Sequence, residues 1–297
     1  YPAWLLERVY AEHGKKAALD FALSALEPAP VYVAGNLALQ GDRETRALLE
    51  SKGLEGEPTE LEGSFVLGKP AGLAPSGLVE STQLIVADLS AQRIAAAAGV
   101  KPGDRVLEVG QGRGTKTLLL ESAALRAGGA VRLTGVDSEA FKVRIAKERL
   151  QRAGLSAWVS CVAADGCTLD SPDLPAELVG SFDLVFLDAP CSGTGTLRRH
   201  PEIAWRLEPA AVDRANPDSL PALQLRLLTA AAARVATGGV LCYATCSVLR
   251  EENEAVVEEF LAGKRGSSFE LEGASFGSHP APGAPDGHFC ARLVRKA

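Results

Sequence analysis

Residues 105–116 read RVLEVGQGRGTK, and the fold follows from that stretch. Its first five residues form an apolar-rich run of strand length. The run stops at Gly110, and Gly112 and Gly114 follow before a helical pattern opens over 115–125. Glycines between a strand and a helix let the backbone come close to a ligand and leave the helix N-terminus facing it. The stretch predicts the first strand, turn and helix of an α/β sheet with a ligand at its carboxyl edge.

The alternation continues on both sides. Downstream, strands are predicted at 132–136, 159–164, 182–187 and 240–245, with helices at 139–153 and 220–236. Upstream, a helix over 81–98 leads through Lys101, Pro102, Gly103 and Asp104 into the first strand. Strands separated by helices predict a mostly parallel sheet covered on both faces. The pieces 269–271 and 288–294 are placed to close it as an antiparallel hairpin. Residues 1–77 differ in character. Trp4, Leu5, Leu6 and Val9 have helical spacing, a strand is predicted at 31–33, a helix at 42–51 and a strand at 64–67. A Gly- and Pro-containing connector over 68–77 ends this part. The expected organisation is a small α/β domain over 1–77 and a larger α/β domain over 78–297.

At 297 residues, 46% hydrophobic and 23% charged, the chain has the composition of a globular enzyme. No apolar run has the length of a bilayer span and no basic-then-apolar leader opens the chain, so a soluble, cytoplasmic protein is expected. The net charge of −6 argues against a chain that coats itself in nucleic acid, but it leaves room for a local basic strip. The first residue is Tyr1 and no Met occurs anywhere, which suggests a segment of a longer protein. The cysteines are Cys161, Cys167, Cys191, Cys242, Cys246 and Cys290, and none forms the close pair of a zinc site. Free thiols and no bound metal are expected.

Acidic residues end the next two strands, Asp137 after the second and Asp165 after the third. Asp137 is placed to hydrogen-bond ribose hydroxyls, and Asp165 to reach an adenine edge. The candidate cofactor set is Gly110, Gln111, Gly112, Arg113, Gly114, Thr115, Lys116, Asp137 and Asp165, with Asp188 at the next strand end. A nicotinamide dinucleotide site would show much the same turn. These residues imply a nucleoside-bearing cofactor and do not name it.

Two further strand ends carry cysteines. Residues 188–195 read DAPCSGTG and residues 243–247 read YATCS, with EENE at 251–254 opening the next helix. Ligands of open α/β sheets bind outside the carboxyl ends of the strands. Cys191 and Cys246 are therefore both expected on the ligand-binding edge, although far apart in sequence.

The combination resembles the Sun/Fmu (RsmB-like) family of RNA (cytosine-5) methyltransferases. DAPCSGTGTLRRHPEIAWR at 188–206 is similar to that family's fourth motif, and YATCSVLREENE at 243–254 to its sixth. DGHFCARL at 286–293 resembles its last strand, and residues 1–36 the segment that joins its N-terminal RNA-binding module to the catalytic half. The resemblance covers essentially the whole chain and leaves out the helical module that precedes this region. It implies a class I methyltransferase (Rossmann-like) sheet, S-adenosyl-L-methionine as cofactor, and RNA as substrate, ribosomal RNA by analogy. It gives residues 1–77 an RNA-binding or linking role and 78–297 the catalysis. It also implies that Cys246 adds to carbon 6 of cytosine so that carbon 5 can attack a sulfonium methyl. Cys191 would assist release, Asp188 orient the base, and Lys116 support the polar end of the site. Cys161, Cys167, Cys242 and Cys290 read as small buried hydrophobes.

One departure stands out. The family's cofactor loop is of the type Cys-Ala-Ala-Pro-Gly-Gly-Lys, whereas residues 110–116 here read GQGRGTK, with Arg113 in place of the proline. Arg198, Arg199 and His200 follow the Cys191 motif, with Trp205 and Arg206 nearby. They read either as a grip on RNA phosphates while the target base turns inward, or as a solvated loop with Trp205 in the core. Lys142, Arg144, Lys147 and Arg149 read as an exposed helix face. Two rival functions remain. An NAD-dependent oxidoreductase leaves both cysteine motifs unexplained, and the intact cysteine pair argues against a catalytically inactive RNA-binding or assembly factor.

Overall fold

Apolar runs and the residues that stop them set the elements of the computed structural model, which describes residues 1–297. In chain order these are α1 (Ala3–Ser24), β1 (Tyr32–Gly35), α2 (Asp42–Ser51), β2 (Gly56–Pro58), β3 (Ser64–Leu67), β4 (Leu84–Val86) and α3 (Leu89–Ala97). There follow β5 (Arg105–Val109), α4 (Thr115–Arg126), β6 (Arg132–Asp137), α5 (Ala140–Arg152), β7 (Val159–Ala163) and β8 (Phe182–Asp188). The last part holds α6 (Ile203–Arg206), α7 (Leu220–Ala232), β9 (Val235–Thr245), α8 (Glu254–Ala262), β10 (Phe269–Leu271), β11 (Phe276–Gly277) and β12 (Phe289–Arg295). No helix is long and apolar enough to cross a membrane.

Two compact units emerge from the packing: Tyr1–Ala29 with Gly166–Pro172 and Val185–Ala297, and Pro30–Asp165 with Asp173–Leu184. In the second of these, a four-stranded antiparallel sheet runs in the order β2-β3-β1-β4. Leu49, Leu54, Phe65 and Leu84 belong to its core. The same unit holds the series β8-β5-β6-β7. The β5–β6 and β6–β7 pairs are parallel, with Val109 opposite Val136 and Val136 opposite Val162. Val106 and Leu107 are both fully buried, as expected of a strand covered on its two faces.

In the first unit the series is β10-β12-β9-β8. The β12 strand pairs antiparallel with β9 from Phe289 opposite Thr245 to Val294 opposite Val240, and with β10 from Phe269 opposite Arg295. The predicted closing hairpin is therefore present. Helix α1 kinks at Gly14 and buries Leu5, Val9 and Phe21 in a cluster with Leu197, Val212, Val248 and Leu249.

Two predicted elements differ. The helix predicted over 81–98 is a strand followed by a shorter helix. Leu84, Ile85 and Val86 pair with Gly35, Ala34 and Val33, and the Asp88 side chain accepts from the Ser90 N–H at 2.9 Å, starting α3 at Leu89. The small sheet thus draws its fourth strand from beyond residue 77. The helix predicted over 220–236 stops at Ala232, and Val235, fully buried, already belongs to β9. Alanine continued the helical pattern on paper without an apolar face to hold it.

Candidate active site

The glycine turn after β5 sets the first group of residues. Gly110, Gly112 and Gly114 all have positive φ, at 81°, 58° and 77°. Gly114 is the left-handed N-cap of α4, a conformation that would strain an L side chain. Around Gly112 a Cβ would meet nothing nearer than Gly110 O at 4.0 Å, so a ligand has room to approach the backbone. The Gly112 N–H donates to Asp137 Oδ2 at 2.9 Å, and the Glu139 N–H donates to Asp137 Oδ1 at 2.9 Å. Each carboxylate oxygen thus holds one backbone donor and keeps acceptor capacity for a hydroxyl. An open glycine cradle beside a carboxylate fixed at the end of β6 suits a nucleoside-bearing cofactor.

Other members of the predicted set take different roles. The Gln111 side chain is buried, donating to Thr117 Oγ1 at 3.1 Å and covering Gly135, so only its backbone faces the turn. Thr117 in turn donates to the buried Glu108 at 2.5 Å. Lys116 is half-buried in the first turn of α4, and Asp165 is exposed just past β7. Arg149 was read as part of an exposed face, but it braces the turn. Its Nη1 donates to Thr115 Oγ1 at 2.8 Å and to Arg113 O at 3.2 Å. Burial, with some help from Arg152, lowers its pKa.

The second group lies in the other unit, at the ends of β8 and β9. Asp188, half-buried, closes β8, and the Ala189 N–H donates to Ala244 O at 2.9 Å. The two thiols lie together: Cys191 Sγ is 3.1 Å from Cys246 Sγ, and both residues are half-buried. The close fit depends on Gly195. Its N–H donates to Cys246 O at 2.9 Å and its carbonyl accepts from the Gly287 N–H at 2.9 Å. A Cβ there would collide with the Gly287 backbone and sit 2.8 Å from Cys246 O.

The hydrogen bond to Cys246, then burial, then the negative charges of Cys246 and Glu252 push the Cys191 thiol well above its ordinary range. The Gly193 backbone works the other way, as does the Cys246 N–H, 3.3 Å from Cys191 Sγ. The upward causes dominate, so Cys191 is the partner that keeps its proton and can donate it to Cys246. The pair titrates as one coupled system.

The basic strip divides. The Arg198 side chain is 1% exposed and its Nε donates to Asp286 Oδ1 at 2.7 Å, with Asp286 also 1% exposed. A buried guanidinium already committed to a carboxylate is not a phosphate grip, and the assignment of Arg198 to RNA is corrected here. Arg199 donates to the other Asp286 oxygen at 2.5 Å and is 27% exposed. His200 lies on the surface beside Glu202. The alternative of Trp205 in the core is overturned as well: Trp205 is 90% exposed on α6.

Residues 95–293 match the model of the family described as 16S rRNA methyltransferase RsmB/F. The chain belongs to the RsmB/F family. Ribosomal RNA small subunit methyltransferase B of Xylella fastidiosa (strain Temecula1) is 36% identical over 99% of this chain and 67% of its own length. The protein of that name from Escherichia coli (strain K12) is 31% identical over 100% of this chain and 66% of its own length. The chain therefore spans about two thirds of these relatives. The solved structure of NSun6 from Pyrococcus horikoshii with SFG superposes with a TM-score of 0.81 at 17% identity, covering 100% of this chain and 98% of that one. At that identity the likeness speaks for the fold, a class I methyltransferase sheet.

For an RsmB/F chain the cofactor is S-adenosyl-L-methionine, and the nicotinamide reading falls. The departure at Arg113 acquires a physical setting: the side chain is exposed, and Arg149 holds its carbonyl in the turn without a proline. Sequence reasoning missed Arg149, Asp286 and Glu252. Only the spacing of Glu252 after the TCS motif offered a signal, and an acidic run at a helix start has an ordinary explanation in the helix dipole.

Proposed function

We propose that this chain is an S-adenosylmethionine-dependent RNA (cytosine-5) methyltransferase acting on ribosomal RNA, with residues 1–77 serving RNA binding or linking and 78–297 catalysis. The observation that carries the reading is the 3.1 Å approach of Cys191 and Cys246, which a merely structural pair of free cysteines does not require. Bound S-adenosylmethionine supplies the electrophilic methyl group. Cys246 adds as a thiolate to carbon 6 of cytosine, forming a C–S bond and making carbon 5 nucleophilic enough to take the methyl. Carbon 5 then loses its proton, the C6–S bond breaks, and the thiolate leaves, with Cys191 assisting this release. Asp188 orients the base and Lys116 supports the polar end of the site. Bisulfite mapping of RNA from cells with and without the protein tests the reading; it requires a ribosomal cytosine protected only when the protein is present.

The cofactor half of the proposal rests on the glycine turn and Asp137, with Asp165 toward the adenine. Asp137→Ala should weaken S-adenosylmethionine binding by about 1–3 kcal/mol, the scale of hydrogen bonds to a charged group. Titration calorimetry checks this, and an unchanged affinity removes Asp137 from the site.

On the RNA side, His200 and the exposed Trp205 replace Arg198 as surface contacts. An exposed indole offers a face on which a base can stack, an interaction worth about 1–3 kcal/mol per base. Trp205→Ala should lower RNA affinity by that amount in an anisotropy titration while sparing cofactor affinity. Equal RNA affinity would return α6 to the status of bare surface.

A further inference from the structure

Each thiol is followed by a serine, Ser192 after Cys191 and Ser247 after Cys246, and both serines turn inward to one carboxylate. Glu252 is fully buried. Its Oε2 accepts from Ser192 Oγ at 2.5 Å and from Ser247 Oγ at 2.5 Å. Its Oε1 accepts from the Ser192 N–H at 2.8 Å and from Gln224 Nε2 at 3.0 Å. Four donors fill the acceptor sites of an ionised carboxylate. Burial raises the Glu252 pKa, and the donors from Ser192, Ser247 and Gln224 oppose it.

The turn that carries Glu252 is anchored independently. Tyr243 Oη donates to Glu252 O at 2.5 Å, and Gln224 also donates to Pro190 O at 2.9 Å. The next residue, Asn253, accepts from Thr245 Oγ1 at 2.6 Å and donates to Ser247 O at 3.0 Å. Segments 190–192 and 245–247 therefore meet through one dipeptide of the chain. Nothing in the cytosine chemistry requires a carboxylate in this place, since Glu252 touches neither sulfur and has no surface on which to meet a substrate.

We propose that Glu252 is a positioning residue that holds the Cys191 and Cys246 loops in register through Ser192 and Ser247. The inference rests on the reading of the two thiols as the catalytic pair. Its consequence is geometric: without the shared carboxylate the two CS turns lose their common support and the sulfur–sulfur approach loosens. A misplacement of about 1 Å costs roughly a hundredfold in rate.

The test reads sulfur proximity directly, without RNA or cofactor. Diamide takes two electrons and two protons from a thiol pair to make a disulfide and is itself reduced to the hydrazine. Mass spectrometry of the peptides then follows the Cys191–Cys246 bond. The wild type should form it readily. Glu252→Ala, and separately the double variant Ser192→Ala with Ser247→Ala, should form it about tenfold more slowly. Their kcat should fall by about a hundredfold with KM for RNA within about twofold. Glu252→Gln should recover most of the capture rate. Its oxygen can accept from the Ser192 N–H and Gln224, and its NH2 can donate to the two serine hydroxyls. Should Glu252→Ala fail to fold, the serine double variant carries the test alone. Wild-type capture and turnover in folded Glu252→Ala or in the serine double variant would overturn the proposal. A wild type that captures the disulfide yet methylates no RNA would instead count against the functional reading.

Discussion

Cys246→Ala loses methyl transfer by on the order of 10⁴-fold or more, the scale on which removing a nucleophile acts, while S-adenosylmethionine binds it nearly as before. Cys191→Ala behaves differently. The covalent bond to RNA still forms, but release is slow, and RNA stays attached to the protein through denaturing electrophoresis. The arrangement of the pair dictates the asymmetry. Cys191 keeps its proton because the hydrogen bond to Cys246, burial and nearby negative charge all disfavour its thiolate. Its S–H therefore supports Cys246 as the partner that carries the charge and attacks. The double variant should give no adduct at all. The reverse pattern, with RNA trapped on Cys246→Ala and none on Cys191→Ala, would exchange the roles. Full activity in both single variants would remove the covalent mechanism.

What could be read from the sequence was local. The 105–109 and 64–67 strands are found with the predicted bounds, because each is an apolar run stopped by glycine or by a turn. The cysteine motifs were legible for the same reason: PCS and TCS each sit just past a buried strand. Residues 81–98 were misread because Leu84, Ile85, Leu89 and Ile94 also fit a helical period. The pairing of Leu84–Val86 with β1 decides the matter, and no local pattern reports it. Glu252 was hidden differently. In sequence it is one of three glutamates within four residues opening a helix, and only the folded chain shows it fully buried beneath both serines. Arg198 was misassigned through the same limit. Beside Arg199 and His200 it looks like a surface strip, and its counter-charge, Asp286, comes 88 residues later.

That counter-charge sets the second large effect. Arg198→Ala should destabilise the folded protein by about 3–5 kcal/mol, the cost of breaking a buried pair and leaving one charge uncompensated. Besides Asp286, the guanidinium donates to Ala284 O at 2.5 Å, so its removal also leaves a buried carbonyl without that donor. Arg199→Ala should cost less, about 1 kcal/mol, because its side chain is 27% exposed and water can replace part of the contact. Asp286→Asn should resemble Arg198→Ala, since it strips the negative charge from both arginines at once. Urea unfolding of the three variants checks the order. A loss below about 1 kcal/mol in Arg198→Ala would mean that the pair is offset by its own desolvation. RNA binding separates this role from the one first assigned to the strip. If Arg198 met phosphate, folded Arg198→Ala would show a salt dependence flatter by about one charge. Buried against Asp286, it should leave that slope unchanged. Activity should nonetheless fall, because Gly287, next to Asp286, packs on Gly195, which in turn holds the Cys246 carbonyl.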